Sequence, residues 1–196
     1  MNEDTLKVGF ALTGSYCTFS KVVPEVEKLV SMGIEVVPIV SENVSKTDTR
    51  FGKAQDWLDK LQEITGNEVI KTIRDSEPIG PKNLIDALIV APCTGNSIGK
   101  IANGITDTSV TMAAKANLRN NNPLIIAVST NDGLTNSAKN IGMLLNMKNV
   151  FLVPFGQDDP VKKTASLVAD FTKIYDTLFE AIKNRRQVQP VIIGQK

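Results

Sequence analysis

The chain has 196 residues, 42% of them hydrophobic, and its 22 lysines and arginines nearly balance 21 aspartates and glutamates to give a formal net charge of +1. This length and composition predict a single domain, residues 1–196, with a sizeable core, and the charge gives no electrostatic reason to expect nucleic acid or an anionic membrane as a partner. The chain contains no histidine, which excludes Ser-His-Asp and Cys-His catalysis and any metal site that needs a histidine.

Two further features indicate a cytoplasmic protein. No apolar run approaches the length of a membrane span, and residues 1–4 are acidic where a signal peptide would be basic. Cys17 and Cys93 lack the spacing of metal ligands, and both should be reduced in that compartment. We therefore expect no bound metal.

The first half of the chain alternates apolar strands with helical patterns. The first strand is predicted over 7–12, and a helix follows within 16–32. Pro24 favours a late start for this helix, which leaves 19–23 in a loop or first turn. The remaining elements of this half are predicted as a strand over 34–40 that ends at Ser41, a polar loop over 42–52, a helix over 53–64, a short helix near 68–73 and a short edge strand near 76–79.

The second half continues the alternation. The aliphatic run at 86–91 predicts a strand buried on both faces, and Pro92 is expected to stop its pairing. The acidic turn at 157–159 has two interpretations, a helix lead-in or a lid. The other predicted elements are helices over 94–102 and 108–120, a strand over 123–128, a helix over 134–147, a strand over 150–153 and a long final helix over 164–185.

This alternation predicts an α/β fold, a Rossmann-like doubly wound parallel sheet of five or six strands with helices on both faces. The first strand should lie centrally, beside the strand at 86–91. The crevice between their carboxyl ends is then the switch point at which such sheets bind ligands.

Small polar residues cluster in turns that would open into this crevice. In the first turn, backbone N–H groups can cradle an anion and Gly14 permits close approach, although Thr and Ser are also common as plain helix N-caps. The glycines do not form the Gly-x-Gly-x-x-Gly pattern of nicotinamide-binding proteins. The candidate binding residues are Thr13, Gly14 and Ser15 in the first turn, Ser41 after the second strand, Cys93, Thr94, Gly95, Asn96 and Ser97 after the strand at 86–91, and Ser129, Thr130 and Asn131 after the next strand.

The turns at 13–15 and 92–97, together with the segment at 103–107, resemble the superfamily of flavin-dependent cysteine decarboxylases and flavin prenyltransferases. In those proteins a Thr-Gly-Ser-type turn and a Pro-Ala-Ser/Thr-x-Asn-Thr-type turn hold FMN. The resemblance implies that FMN is the cofactor, that polar groups of the second turn face the flavin ring edge, and that Ser41 reaches the ribityl chain or phosphate. Cys93 belongs to the second turn and is expected there as a small core residue rather than a nucleophile.

The chain departs from the decarboxylase branch in two places. That branch uses a histidine as its active-site base, and this chain has none. Its Pro-x-Met-Asn signature is reduced here to Asn131. We therefore expect flavin contact from Ser129, Thr130 and Asn131, but no decarboxylation of cysteine-type substrates.

The segments at 47–52 and 154–160 resemble one member of the superfamily, a component of an enzyme that makes an aromatic pyridine dicarboxylate in spore-forming bacteria. That resemblance implies oxidation of a dihydropyridine dicarboxylate and a partner protein with its own nicotinamide-type domain. A small dicarboxylate needs cations, and Arg50 in the polar loop is the residue that we expect to bind it. No residue is identified as the catalytic base.

Two other functions remain open at this point. A flavin prenyltransferase also lacks the decarboxylase histidine, but it needs arginines around an allylic phosphate, and none lies at 128–131. A non-catalytic chain that only supports its partner protein would need no acid–base residues. The resemblance also implies a trimer-based homo-oligomer. Small or adaptable residues of 108–120, such as Ala113 and Ala114, would let another helix approach closely, and the apolar residues of 139–147, among them Met143 and Leu145, would add to the contact, unless both segments merely cover the sheet.

Overall fold

The computed structural model describes residues 5–194 as a seven-stranded sheet with surrounding helices. The strands are β1 (Lys7–Leu12), β2 (Glu35–Val40), β3 (Ala87–Cys93), β4 (Leu124–Thr130), β5 (Val150–Leu152), β6 (Phe155–Asp159) and β7 (Lys163–Ala169). The helices are α1 (Phe19–Ser31), α2 (Glu42–Lys46), α3 (Ala54–Thr65), α4 (Ile73–Ser76), α5 (Gly95–Ala102), α6 (Ser109–Arg119), α7 (Ala138–Leu145) and α8 (Ile174–Lys183). Within the described residues, every helix falls short of the length and apolarity that a membrane span requires.

Five parallel strands form the doubly wound unit. Their order is β2-β1-β3-β4, with β5 beyond β4. On one face of the sheet α1 packs against α8, and on the other α6 packs against the sheet while α5 packs against α6 and α7. Core residues of the central strands, such as Phe10 and Ile89, have no exposed surface. The predicted α/β fold, with β1 central and beside β3, is confirmed.

An antiparallel hairpin extends this sheet and raises the strand number above the predicted five or six. β6 pairs with β7, and β7 pairs with the end of β4, where Ser129 lies opposite Val168. The prediction of a helix from 164 is therefore wrong for 164–169, and the final α-helix begins at Ile174. The segment 157–159, with its two aspartates, lies within β6 and is neither a helix lead-in nor a separate turn. Residues 164–169 form a strand because they pair with β4 and β6, since strand preference depends strongly on tertiary context.

Two prolines lie inside elements that we expect them to delay or to end: Pro24 in a helix and Pro92 in a strand. α1 begins at Phe19, so Pro24 lies within it. Five apolar side chains of α1 are buried, and each such burial stabilises the fold by about 1.5–3 kcal/mol, which together outweighs the roughly 3 kcal/mol cost of an interior proline. Pro92 lies within β3, where pairing resumes at Cys93 after a register shift.

The connection between α3 and β3 also differs from its prediction. Residues 73–76 form α4, and 77–79 form a 3-10 turn, where we predicted a helix near 68–73 and an edge strand near 76–79. Thr72 caps α4 by accepting a hydrogen bond from the Asp75 N–H, and Pro78 lies in the first turn of the 3-10 segment. Both features favour a helical start at these positions over a strand.

Candidate functional site

The carboxyl ends of β1, β3 and β4 lie side by side at one edge of the sheet. These strands are parallel neighbours, so the polar residues at their ends, at 13–15, 94–97 and 129–131, meet in one place. The fold therefore brings together three of the four predicted groups of candidate residues, and Ser41, the fourth, lines a cavity beside them.

Thr13 joins the first two turns. Its side chain is 1% exposed, its Oγ1 donates a hydrogen bond to the Pro92 carbonyl at 2.7 Å, and the same oxygen accepts one from the Thr94 N–H at 3.0 Å. Pro92 has no N–H to give to the sheet, but its carbonyl also accepts from the Thr13 N–H at 3.3 Å. The two turns consequently hold each other in a fixed geometry.

A second bridge connects the first turn with the end of β4. The hydroxyl oxygens of Ser15 and Ser129 lie 2.7 Å apart and share a hydrogen bond. Ser129 also faces Val168 of β7 in the antiparallel pairing. The first turn, β4 and the β6–β7 hairpin are thus linked around one space.

The N-terminus of α5 opens into the same space. Thr94 caps it by accepting a hydrogen bond from the Ser97 N–H at 3.4 Å, and the helix continues for eight residues. Unpaired N–H groups and the helix dipole make such a terminus favourable for an anion. Taken alone, this helix terminus favours an anion over an uncharged group.

Asp132 places a negative charge beside this helix. Thr130 Oγ1 donates a hydrogen bond to Asp132 Oδ1, and Ser137 Oγ donates another at 2.9 Å. The bond from Thr130 is the main cause that lowers the pKa of the Asp132 carboxyl below its ordinary value, and burial opposes it. Gly95 permits this arrangement, because a Cβ there would lie 2.7 Å from the oxygens of all three side chains.

Two cavities occupy the edge of the sheet. The first cavity, about 510 Å³, is lined by Gly14, Ser15, Cys17, Thr18, Lys21, Thr94, Gly95, Ser129, Thr130, Asn131, Asp132, Asp158, Lys163, Ser166, Leu167 and Val168. The second cavity, about 400 Å³, is lined by Thr13, Gly14, Ser41, Glu42, Asn43, Thr94, Asn96, Ser97, Lys100, Asp107 and Thr108. Gly14 and Thr94 line both, so the cavities adjoin at the first two turns.

Eleven of the thirteen candidate binding residues line one or both cavities. Their roles toward a ligand remain predictions. Cys93 is an exception: it is fully buried, its side chain lines neither cavity, and burial raises the pKa of its thiol above the ordinary value. Its burial agrees with the expectation of a small core residue, and its place among the cofactor-binding residues stays a prediction.

Arg50 is the other exception. Its guanidinium lies 4.8 Å from the centre of the Phe51 ring, on an exposed part of the polar loop, and it lines neither cavity. The structure therefore does not bring Arg50 together with the other candidates.

Several cavity residues carried no recognisable signal in the sequence. Lys21 lies on the exposed side of α1, and Ser166 and Leu167 reach the first cavity only because 163–169 forms β7. Glu42 begins α2 beside Ser41 and lines the second cavity.

A doubly wound sheet whose polar turns meet at its switch point is the architecture of a nucleotide- or flavin-binding protein. The chain belongs to the Flavoprotein family, whose model matches residues 1–185. It is 46% identical to the B subunit of dipicolinate synthase of Bacillus subtilis (strain 168) over 187 residues, which cover 95% of this chain and 93% of that protein. The resemblance that the turns indicated is confirmed.

Two solved structures extend this comparison. The B subunit of dipicolinate synthase from Bacillus halodurans C superposes with a TM-score of 0.90 and 43% identity, and the match covers 100% of both chains. The FMN-dependent cysteine decarboxylase SpaF superposes with a TM-score of 0.63 and 19% identity, over 90% of this chain and 97% of that one. The second similarity is one of fold.

Proposed function

We propose that this chain is an FMN-binding component of dipicolinate synthase and helps to oxidise a dihydrodipicolinate-type ring to dipicolinate. The similarity to the B subunit of that enzyme, at 46% identity over 95% of the chain, is the observation that carries the proposal. An enzyme with a B subunit implies a partner, the dipicolinate synthase A subunit, which we expect to carry a nicotinamide-type domain.

Gly14 provides the first test of FMN as the ligand. A Cβ on Gly14 would meet only the Tyr16 ring, at 3.6 Å, and the φ of Gly14 lies outside the left-handed region. Neither packing within the chain nor backbone conformation requires glycine here. A ligand that approaches the backbone closely, such as a phosphate or ribityl group at this turn, explains why residue 14 is a glycine.

The second test is an unsatisfied acceptor in the second cavity. Glu42 Oε1 accepts a hydrogen bond from the Ser109 N–H at 3.0 Å, whereas Oε2 is buried and has no partner among the described residues. An unpaired buried acceptor costs about 1–3 kcal/mol. A ribityl hydroxyl can supply the missing donor, while a phosphate would be repelled, so we assign the phosphate to the first turn.

FMN, when bound, supplies a ring that can accept two electrons from the substrate. The chain's residues bind and orient the cofactor: Ser15 and Ser129 offer hydroxyls at the first cavity. Asp132 has a lowered pKa, which makes it a weak proton acceptor but a good hydrogen-bond acceptor for a ring N–H. Oxidation of the dihydropyridine ring also releases a proton, and we assign the acceptor of this proton to water or to a carboxylate of the substrate.

A trimer-based homo-oligomer remains part of this proposal, and of the two predicted contact segments we keep the one at 139–147. Ala113 and Ala114 are at most 1% exposed and already pack within the chain, so they have no surface for another helix. Met143 and Leu145 of α7 are 45% and 44% exposed, and we place the contact there. Light scattering that gives a monomeric mass with FMN bound would contradict it.

The experiment for FMN combines release and rebinding. We expect a flavin spectrum in the supernatant of denatured protein, and saturable binding of FMN to the stripped protein by titration calorimetry. Asn96→Asp should weaken binding by placing a charge in the second cavity, whereas Asn136→Asp, at an exposed position that lines neither cavity, should not. The absence of both release and rebinding would refute the proposal.

The experiment for the reaction uses freshly generated dihydrodipicolinate. The FMN-loaded chain, with and without its partner protein, should form dipicolinate, which is measured by its ultraviolet absorbance. Catalysis that needs the partner protein but proceeds equally without FMN would instead indicate a supporting chain. Transfer of a prenyl group from dimethylallyl phosphate to FMN would favour the prenyltransferase alternative.

A further inference from the structure

The first cavity contains two lysines that come from separate elements. Lys21 is the third residue of α1, and Lys163 is the first residue of β7. They are the cations among the residues that line this cavity. The fold thus brings together two positive charges that lie far apart in the sequence.

Lys163 is held over the cavity by the hairpin. Its Nζ lies 2.6 Å from Asp158 Oδ2 on the facing strand β6. The hydrogen bond and charge of Asp158 raise the pKa of the Lys163 ammonium, and Cys17 contributes further. Cys17, which lies just after the first turn, lines the same cavity as Lys163.

The rest of the cavity suits a flat ring whose charged groups lie at one side. Leu167 and Val168 contribute apolar surface from β7. The ionised Asp132 repels a carboxylate, so a dianionic ring would turn its carboxylates away from Asp132 and toward the ammonium groups.

We propose that Lys21 and Lys163 bind the two carboxylates of a small planar dicarboxylate in the first cavity, with Asp158 occupying Lys163 until the ligand arrives. This inference rests on the proposed function and identifies the residues that select its substrate. It replaces Arg50, which lies outside both cavities. The same ammonium groups could also meet an anionic phosphate of the flavin, so the experiment separates the two sources of negative charge.

The experiment titrates dipicolinate into the FMN-loaded chain by calorimetry. Lys21→Gln and Lys163→Gln should each weaken binding about tenfold, as expected for one partly exposed charge-assisted contact, and the double variant should weaken it further. Lys162→Gln is the matched control, since Lys162 adjoins Lys163 on the hairpin but does not line the cavity. Increasing the salt concentration should weaken wild-type binding.

Asp158→Asn separates a binding role of Lys163 from a purely structural one, because only the binding role predicts a gain in affinity. It removes the carboxylate that competes for Lys163, so dipicolinate should bind more tightly, by about threefold. Pyridine-2-carboxylate, with one carboxylate, should be less sensitive to the double lysine change than dipicolinate is. Thermal unfolding of each variant confirms that it is folded.

Three outcomes would overturn the inference. If the lysine variants bind dipicolinate as the wild type does, the carboxylates bind elsewhere, although the proposed function stands. If these variants lose affinity for FMN but keep it for riboflavin, the lysines bind the phosphate instead. If FMN-loaded wild type does not bind dipicolinate, the inference fails together with the substrate of the proposed function, while FMN binding stands on its own measurement.

Discussion

Thr13→Val tests whether the hydroxyl of Thr13 holds the site together. Valine has nearly the same shape, but it removes the bond to the Pro92 carbonyl at 2.7 Å and the acceptor of the Thr94 N–H at 3.0 Å. The Pro92 carbonyl keeps its bond from the Thr13 N–H, so losing the bond from the Thr13 hydroxyl costs about 1 kcal/mol. The Thr94 N–H is left without an acceptor, which costs about 1–3 kcal/mol. We expect a total destabilisation of about 3 kcal/mol.

For a domain of this size that loss corresponds to a fall in Tm of about 6–12 °C. The measurement is thermal unfolding by circular dichroism of flavin-free protein, because a bound ligand would add its own stabilisation. Thr13→Ser is the control: it keeps the hydroxyl and loses one methyl group, which costs about 1 kcal/mol. We expect Thr13→Val to unfold at a clearly lower temperature than Thr13→Ser. If the two Tm values differ by less than about 2 °C, which corresponds to roughly 0.5 kcal/mol, the reasoning is refuted.

Four further results are expected from the same geometry. Gly14→Ala should leave the free energy of unfolding within about 0.5 kcal/mol of wild type yet weaken FMN binding at least about tenfold, as measured by quenching of flavin fluorescence, since its Cβ has space within the chain. Asp132→Asn should be less stable than wild type at pH 7 in urea unfolding; because the folded pKa of Asp132 is depressed, this difference should persist above its ordinary value of 3.8 and shrink as the pH falls below it. Gly133→Ala should destabilise the fold by about 1–3 kcal/mol and displace β7, because its Cβ would lie 2.5 Å from a side-chain carbon of that strand. A thiol reagent at about pH 8 should label the exposed Cys17 alone in native protein and both cysteines in denaturant, and rapid native labelling of the buried Cys93 would contradict its position in the core.

The sequence by itself determined the parallel sheet and the place of the site. Aliphatic runs such as 86–91 have one stable environment, a strand covered on both faces, and they alternate with helices that must then cover the sheet. Local signals also set some boundaries: α3 ends at Gly66, whose φ of 67° is in the left-handed region that glycine adopts readily. Once the strands are parallel neighbours, the turns at 13–15 and 94–97 must meet, since their strands end at the same edge.

Only the tertiary structure decided what closes that site and which charges enter it. Residues 163–169 form a strand because β4 and β6 offer pairing partners, and no local pattern encodes those partners. Lys163 reaches the first cavity as a consequence of that pairing, and Lys21 reaches it because of the direction in which α1 leaves the first turn.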